Sequence, residues 1–282
     1  MTERIKIDKP KTDLDYENGK GVLPEGAFRI SASGFNGFMG YPHNWFRENV
    51  LGEQGFTGNT ASVIGTCVHY IAEYVGKGEQ PDIEQIEQYI TNQETDDYGE
   101  FNLDVDVHEV RAQYKIMGET LVNQYVLPNM PTEVEPFVFY ELQPGYFPSG
   151  SIDALQGTKD SKSTMIIDYK TYNSKTKPRA IPMNYKYQLL IYAYILNKMG
   201  YVVDRIRLVY INRYIDGGIS EKTSKPLKSY APEVTVLTES ITDEDMDFIE
   251  SVMNLCVETT QLALEKPELA YLLFRDYRLK EK

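Results

Sequence analysis

The chain has 282 residues, 41% of them hydrophobic and 25% charged, which is the composition of a globular protein long enough to bury a sizeable core. Its net charge of −13 and pI near 4.8 argue against a general nucleic-acid coat protein, which is normally basic. Two cysteines are too few for a disulfide framework, no apolar run approaches a membrane span and no secretory leader pattern follows Met1, so a cytoplasmic setting without a membrane partner is expected.

Residues 1–24 are polar and glycine-dotted, and read as a flexible tail. From there to residue 131 the pattern is helical. Ser31 or Ser33 can cap a helix carrying Phe35, Phe38, Trp45 and Phe46, which Pro42 divides in two. A second helix starts near Asn59 or Thr60 and holds His69 and Glu73 four apart, on one side. A third runs from Pro81 to Thr91, and Asp96–Gly99 forms a loop. A fourth, from Val105 to Leu127, buries Val110, Tyr114, Met117, Leu121 and Tyr125.

After Pro131 the period changes to that of a sheet, and residues 132–282 read as the core of one catalytic domain. Strands are expected at Glu133–Glu141, Ser149–Gln156 and Thr164–Lys170, then a helix at Met183–Met199 and a strand at Val202–Asn212. Gly217-Gly218 marks a turn, Thr223–Tyr230 a basic loop and Glu233–Leu237 an edge strand. A long helix from Thr242 to Glu265, capped by Thr242 with Asp245 three on, precedes a short one at Pro267–Phe274.

Within this order the segment Gly150 to Lys170 is chemically unusual. Its two strands, joined by a polar turn, each bring an aspartate to the edge of an apolar run, Asp153 and Asp168, and Lys170 shares a face with Asp168. Two readings fit: a salt bridge at a strand end, or a hard-cation site with carboxylate ligands and a lysine aimed at the same centre. Around it lies a basic island in an acidic chain, with Lys159, Lys162, Lys170, Lys175, Lys177, Arg179 and Lys186 against Asp160 and Asp168. There is no glycine-rich phosphate loop ending in Lys-Ser or Lys-Thr, and so no ATP-driven motor.

The order helix (His69), strand (Asp153), strand (Asp168, Lys170), helix (Gln188, Tyr192), strand resembles the PD-(D/E)XK nuclease superfamily, in its RecB-like and Cas4-like exonuclease branch. The matching pieces are Ser31-Ala-Ser-Gly-Phe, Gly65-Thr-Cys-Val-His69-Tyr-Ile-Ala-Glu73, Gly150-Ser-Ile-Asp153, Ile167-Asp168-Tyr169-Lys170-Thr171 and Gln188-Leu-Leu-Ile-Tyr192. The resemblance implies an α/β fold with a restriction-endonuclease-like central mixed β-sheet flanked by helices, and an N-terminal helical subdomain.

It further implies that His69, Asp153, Asp168 and the backbone carbonyl of Tyr169 ligate Mg2+ or Mn2+. Lys170 orients or helps deprotonate the attacking water, Gln188 and Tyr192 contact phosphate or support the metal, and Glu73 braces His69 or holds a water. Lys175, Lys177, Arg179 and Lys186 are then placed to guide DNA. Relatives with an iron–sulfur cluster use four cysteines, one of them in a Cys-Pro pair that reads Tyr41-Pro42 here, so no cluster is expected. The implied function is a metal-dependent DNA exonuclease acting on single strands or duplex ends. The alternatives are a structure- or sequence-specific endonuclease, or an adaptor that keeps the fold without catalysis. Lacking a motor, such an enzyme would serve a separate helicase, recombinase or single-strand-binding protein, as in phage or mobile-element recombination.

Overall fold

A computed structural model describes residues 23–53, 58–95, 102–219 and 224–274. The expected tail therefore lies almost wholly outside the described residues, as does the loop at Asp96–Gly99.

Among the described residues eight strands form two sheets. Strands β1 (Phe28–Ser31), β3 (Phe137–Phe139) and β4 (Tyr146–Ser151) make a three-stranded sheet in the order β1-β4-β3. Strands β2 (Glu133–Val134), β5 (Ala154–Gln156), β6 (Thr164–Tyr172), β7 (Val203–Asn212) and β8 (Val234–Ser240) make a five-stranded sheet in the order β2-β5-β6-β7-β8. Only β6 and β7 run parallel in the larger sheet, so it is mixed, as expected.

Period-2 alternation along β6 and β7 explains the layering. Ile166, Ile206, Leu208 and Tyr210 face one core, with α1 (Phe35–Gly40), α2 (Pro42–Asn49), α6 (Met183–Lys198) and α7 (Asp243–Glu265). Met165, Ile167, Tyr169, Val209 and Ile211 face the other, with α3 (Thr60–Gly76), α4 (Ile83–Thr91) and α5 (Val107–Leu121). Helices therefore flank both faces.

Several boundaries differ from the sequence expectation, for local reasons. Ser31 ends a strand instead of capping a helix; Gly34 is the N-cap of α1 and its N–H donates to Ser31 Oγ over 3.4 Å. Asp82 caps α4 from outside. The long fourth helix begins one residue after its cap, Asp106, and passes at Val122 into a π-helical turn ahead of Pro128.

The two expected strands Glu133–Glu141 and Ser149–Gln156 are each broken, and this matters most. Pro136 has no N–H to give a ladder, and Glu135 before it adopts φ 52°, a rare conformation outside glycine. Opposite it the chain breaks at Ile152–Asp153. On one side of the break the two segments pair in the large sheet (β2 with β5), and on the other in the small one (β3 with β4). The bend is stitched by Glu135 N–H to the Asp153 carbonyl (3.1 Å) and Ile152 N–H to the Pro136 carbonyl (3.1 Å). Two acidic residues thus stand side by side where a ribbon leaves one sheet for another.

Candidate active site

Four elements converge at that bend. Helix α3 is set by a capping box, in which the Asn59 side chain accepts from Ser62 N–H and Ser62 Oγ from Asn59 N–H. Its third turn points His69 at the bend, with Nδ1 3.4 Å from Asp153 Oδ2. Asp153 Oδ2 also accepts the Tyr169 N–H at 2.6 Å, which locks the carboxylate against β6. One His69 nitrogen and one carboxylate oxygen each from Glu135 and Asp153 all lie within 4.8 Å of one another. A nitrogen with two hard oxygens is a donor set that fits a divalent cation.

This trio differs from the one implied by resemblance. The structure brings His69 and Asp153 together with Glu135, while Asp168 lies outside this group. Asp168, only 2% exposed, sits across β6 with Lys170 Nζ 2.9 Å from Oδ1 and 2.7 Å from Oδ2. From α6, Gln188 Nε2 donates to Asp168 Oδ1 at 3.3 Å and to the Tyr192 hydroxyl at 3.2 Å. The i, i+4 pair on α6 therefore reaches the acidic site through Asp168. Tyr192 also needs Gly150 beneath it, since a Cβ there would lie 2.9 Å from its Cε1. Glu73 is fully buried one turn along from His69.

The electrostatics separate the two aspartates. Burial pushes both carboxyls up. At Asp168 burial prevails, aided by the Asp153 charge and opposed by Lys170, and the pKa rises to about 6. At Asp153 burial is overcome by His69, Lys170 and the Tyr169 N–H, and the pKa falls to about 2. Burial works against protonated His69, but the Asp153 carboxylate outweighs it and the pKa rises above 6.5. Lys170 is likewise raised, because Asp168 and Asp153 together outweigh its burial. It carries its charge at neutral pH and rests 5.1 Å above the Tyr185 ring.

The four basic residues picked out for DNA differ in what they meet. Lys175 and Arg179 are exposed on the segment between β6 and α6. Lys177 pairs with Glu233. Lys186 is held by Asp245 at 3.0 Å and Glu239 at 3.5 Å, tying α6 to the start of α7. Sequence reasoning missed Glu135 and Tyr185. For Glu135 a signal existed, an acid directly before proline in a strand-like run, Val134-Glu135-Pro136. No such signal marks Tyr185.

Among solved structures, a provisionally assigned exonuclease from Eubacterium rectale is 13% identical, over 96% of this chain and 89% of that one, with a TM-score of 0.48. The structure of LHK-Exo in complex with dAMP is 13% identical, over 75% of this chain and 98% of that one, with a TM-score of 0.34. A search of curated proteins gives no match. The model of the PD-(D/E)XK nuclease superfamily matches residues 29–260, from β1 to the last turns of α7, and so takes in every element that builds the site. This chain belongs to the PD-(D/E)XK nuclease superfamily.

Proposed function

We propose that this nuclease is a divalent-metal-dependent deoxyribonuclease that degrades DNA from single-stranded or duplex ends. The observation that carries the metal dependence is the convergence of His69, Glu135 and Asp153 donor atoms beside the Asp168–Lys170 pair. DNA as the substrate, and attack from ends, rest on the motif resemblance that runs from Ser31 to Tyr192. A separate helicase or recombination protein would supply those ends.

A phosphodiester is anionic and resists attack by hydroxide. His69, Glu135 and Asp153 would hold Mg2+ or Mn2+, with the Tyr169 carbonyl and Asp168 on the β6 side of the same centre; the histidine favours manganese. The bound cation supplies charge neutralisation and acidification of water near neutral pH. Lys170, already charged, faces the scissile phosphate and offsets the negative charge that builds there. Gln188 and Tyr192 fix the Asp168 carboxylate and keep bulk water from its α6 side. Glu73 supports α3 beneath His69.

End-labelled single-stranded and duplex DNA, incubated with Mg2+ or Mn2+, should give mononucleotides or short products progressively from the ends, with no cleavage in EDTA. Rapid cutting of covalently closed circles would replace the exonuclease reading by the endonuclease one. Absence of any metal-dependent hydrolysis would return the chain to the adaptor reading.

A further inference from the structure

Beyond the carboxylates, β6 ends in a groove that the chemistry described above does not use. Its volume is 460 Å³, and its walls include Tyr172, Lys175, Asn212, Lys228 and Tyr230. Tyr172 is the last residue of β6 and lies on the same face as Asp168 and Lys170, about 7 Å along the strand from Lys170. One wall of the groove thus lies two residues along β6 from Lys170.

Its opposite wall is the chain returning from the long excursion between β7 and β8, and the fold holds that wall firmly. Asn212 Nδ2 donates to the Ala231 carbonyl at 3.4 Å, and Asn212 Oδ1 accepts the Glu233 N–H at 2.6 Å. Ile215 and Tyr230 exchange two backbone hydrogen bonds, 3.0 and 2.9 Å. The Tyr230 ring is thereby presented at a set position.

Two of the three lysines that line the groove keep their charge uncompensated. Lys175 Nζ lies 5.3 Å and Lys228 Nζ 5.2 Å from the centre of the Tyr230 ring, and neither has a carboxylate partner among the described residues. In the same groove Lys177 is met by Glu233, and elsewhere Lys186 and Lys198 are each met by glutamate or aspartate. Two unpaired ammonium groups on one aromatic ring, in a chain of net charge −13, form a site for a ligand that is both anionic and flat. Single-stranded nucleic acid has that chemistry: phosphates for the lysines, and bases for the tyrosine faces.

The geometry points to a single-strand guide groove, in which Tyr230 and Tyr172 stack bases and Lys175 and Lys228 hold phosphates of the DNA next to the scissile bond. This rests on the nuclease reading of the carboxylate site.

The test measures binding of a short, fluorescently labelled oligothymidylate to the whole chain by anisotropy in EDTA, where no metal-dependent cleavage interferes. Tyr230→Ala should weaken binding about ten-fold, while Tyr230→Phe, which keeps the stacking face, should bind as the parent does. Lys175→Ala and Lys228→Ala should each lower the slope of log affinity against log salt by about 0.7. Failure of the parent chain to bind, unchanged binding by Tyr230→Ala, or loss in Tyr230→Phe as large as in Tyr230→Ala would overturn the groove. Cleavage is assayed separately in Mn2+. Tyr230-dependent binding with no hydrolysis would sink the nuclease reading and leave the groove standing. Normal hydrolysis with Tyr230-independent binding would do the reverse.

Discussion

Asp153 and Asp168 are the same side chain, both buried, yet burial wins at one and loses at the other. The difference lies in what faces them: imidazole and a backbone N–H at Asp153, a single ammonium and a neighbouring carboxylate at Asp168. Each aliphatic neighbour in the sheet contributes about 2 kcal/mol by its burial. An unpaired carboxylate costs several, which Lys170 and the Gln188 amide offset at Asp168. Lys170→Ala should cut single-turnover cleavage by about 10²–10³-fold, and near-normal turnover in that variant would remove Lys170 from the chemistry. A proton must leave His69, and one must leave Asp168, before either can serve a cation. With the histidine raised above 6.5 and Asp168 at about 6, protons compete increasingly as pH falls through that range. Calorimetric Mn2+ affinity should thus drop more than about ten-fold from about pH 8 to about pH 5.5. A flat profile would contradict the ligand assignment.

At the scale of elements, the site depends on an interrupted ribbon. Had Glu133–Glu141 and Ser149–Gln156 paired continuously, Glu135 and Asp153 would point into a ladder with no room for an ion. Pro136 and the left-handed Glu135 force the chain from one sheet to the other, and the bend sets the two acidic residues side by side. Helix α6 closes the arrangement from the other side by seating Tyr192 against Gly150. Gly150→Ala should therefore displace the tyrosine ring and, through Gln188, the Asp168 carboxylate. We expect a stability loss of about 1–3 kcal/mol in urea unfolding, together with reduced cleavage. Equal stability and activity would show that the ring yields without consequence.

At the scale of the whole molecule, the large sheet carries a hydrophobic core on each face, and the carboxylates sit where both cores end. The His69 side comes from the α3–α5 layer and the Gln188 side from the α6–α7 layer. Metal binding should therefore brace both layers against the sheet. Because an ion held by His69, Glu135 and Asp153 has no such site in the unfolded chain, Mn2+ at about 100 times its dissociation constant should stabilise the fold by roughly 2.7 kcal/mol. The rise in melting temperature should vanish in His69→Ala. A rise of the same size in that variant would place the ion elsewhere.

Much of this was legible from local patterns. The helical period of Val110 to Tyr125, the two-residue alternation of β6 and β7 and the Thr242–Asp245 capping box are properties of short segments, and the sequence alone determined them. So it did the shared face of Asp168 and Lys170 and that of Gln188 and Tyr192, because strand and helix periods dictate which neighbours share a face. What only the tertiary structure decided is who meets across elements: Glu135 with His69 and Asp153, Lys186 with Asp245, Lys175 over Tyr230. Those contacts join residues far apart in the chain, and no periodicity reports them. They exist because two sheets share one bent ribbon and because the excursion after β7 folds back, and both depend on packing that forms only when the whole core does.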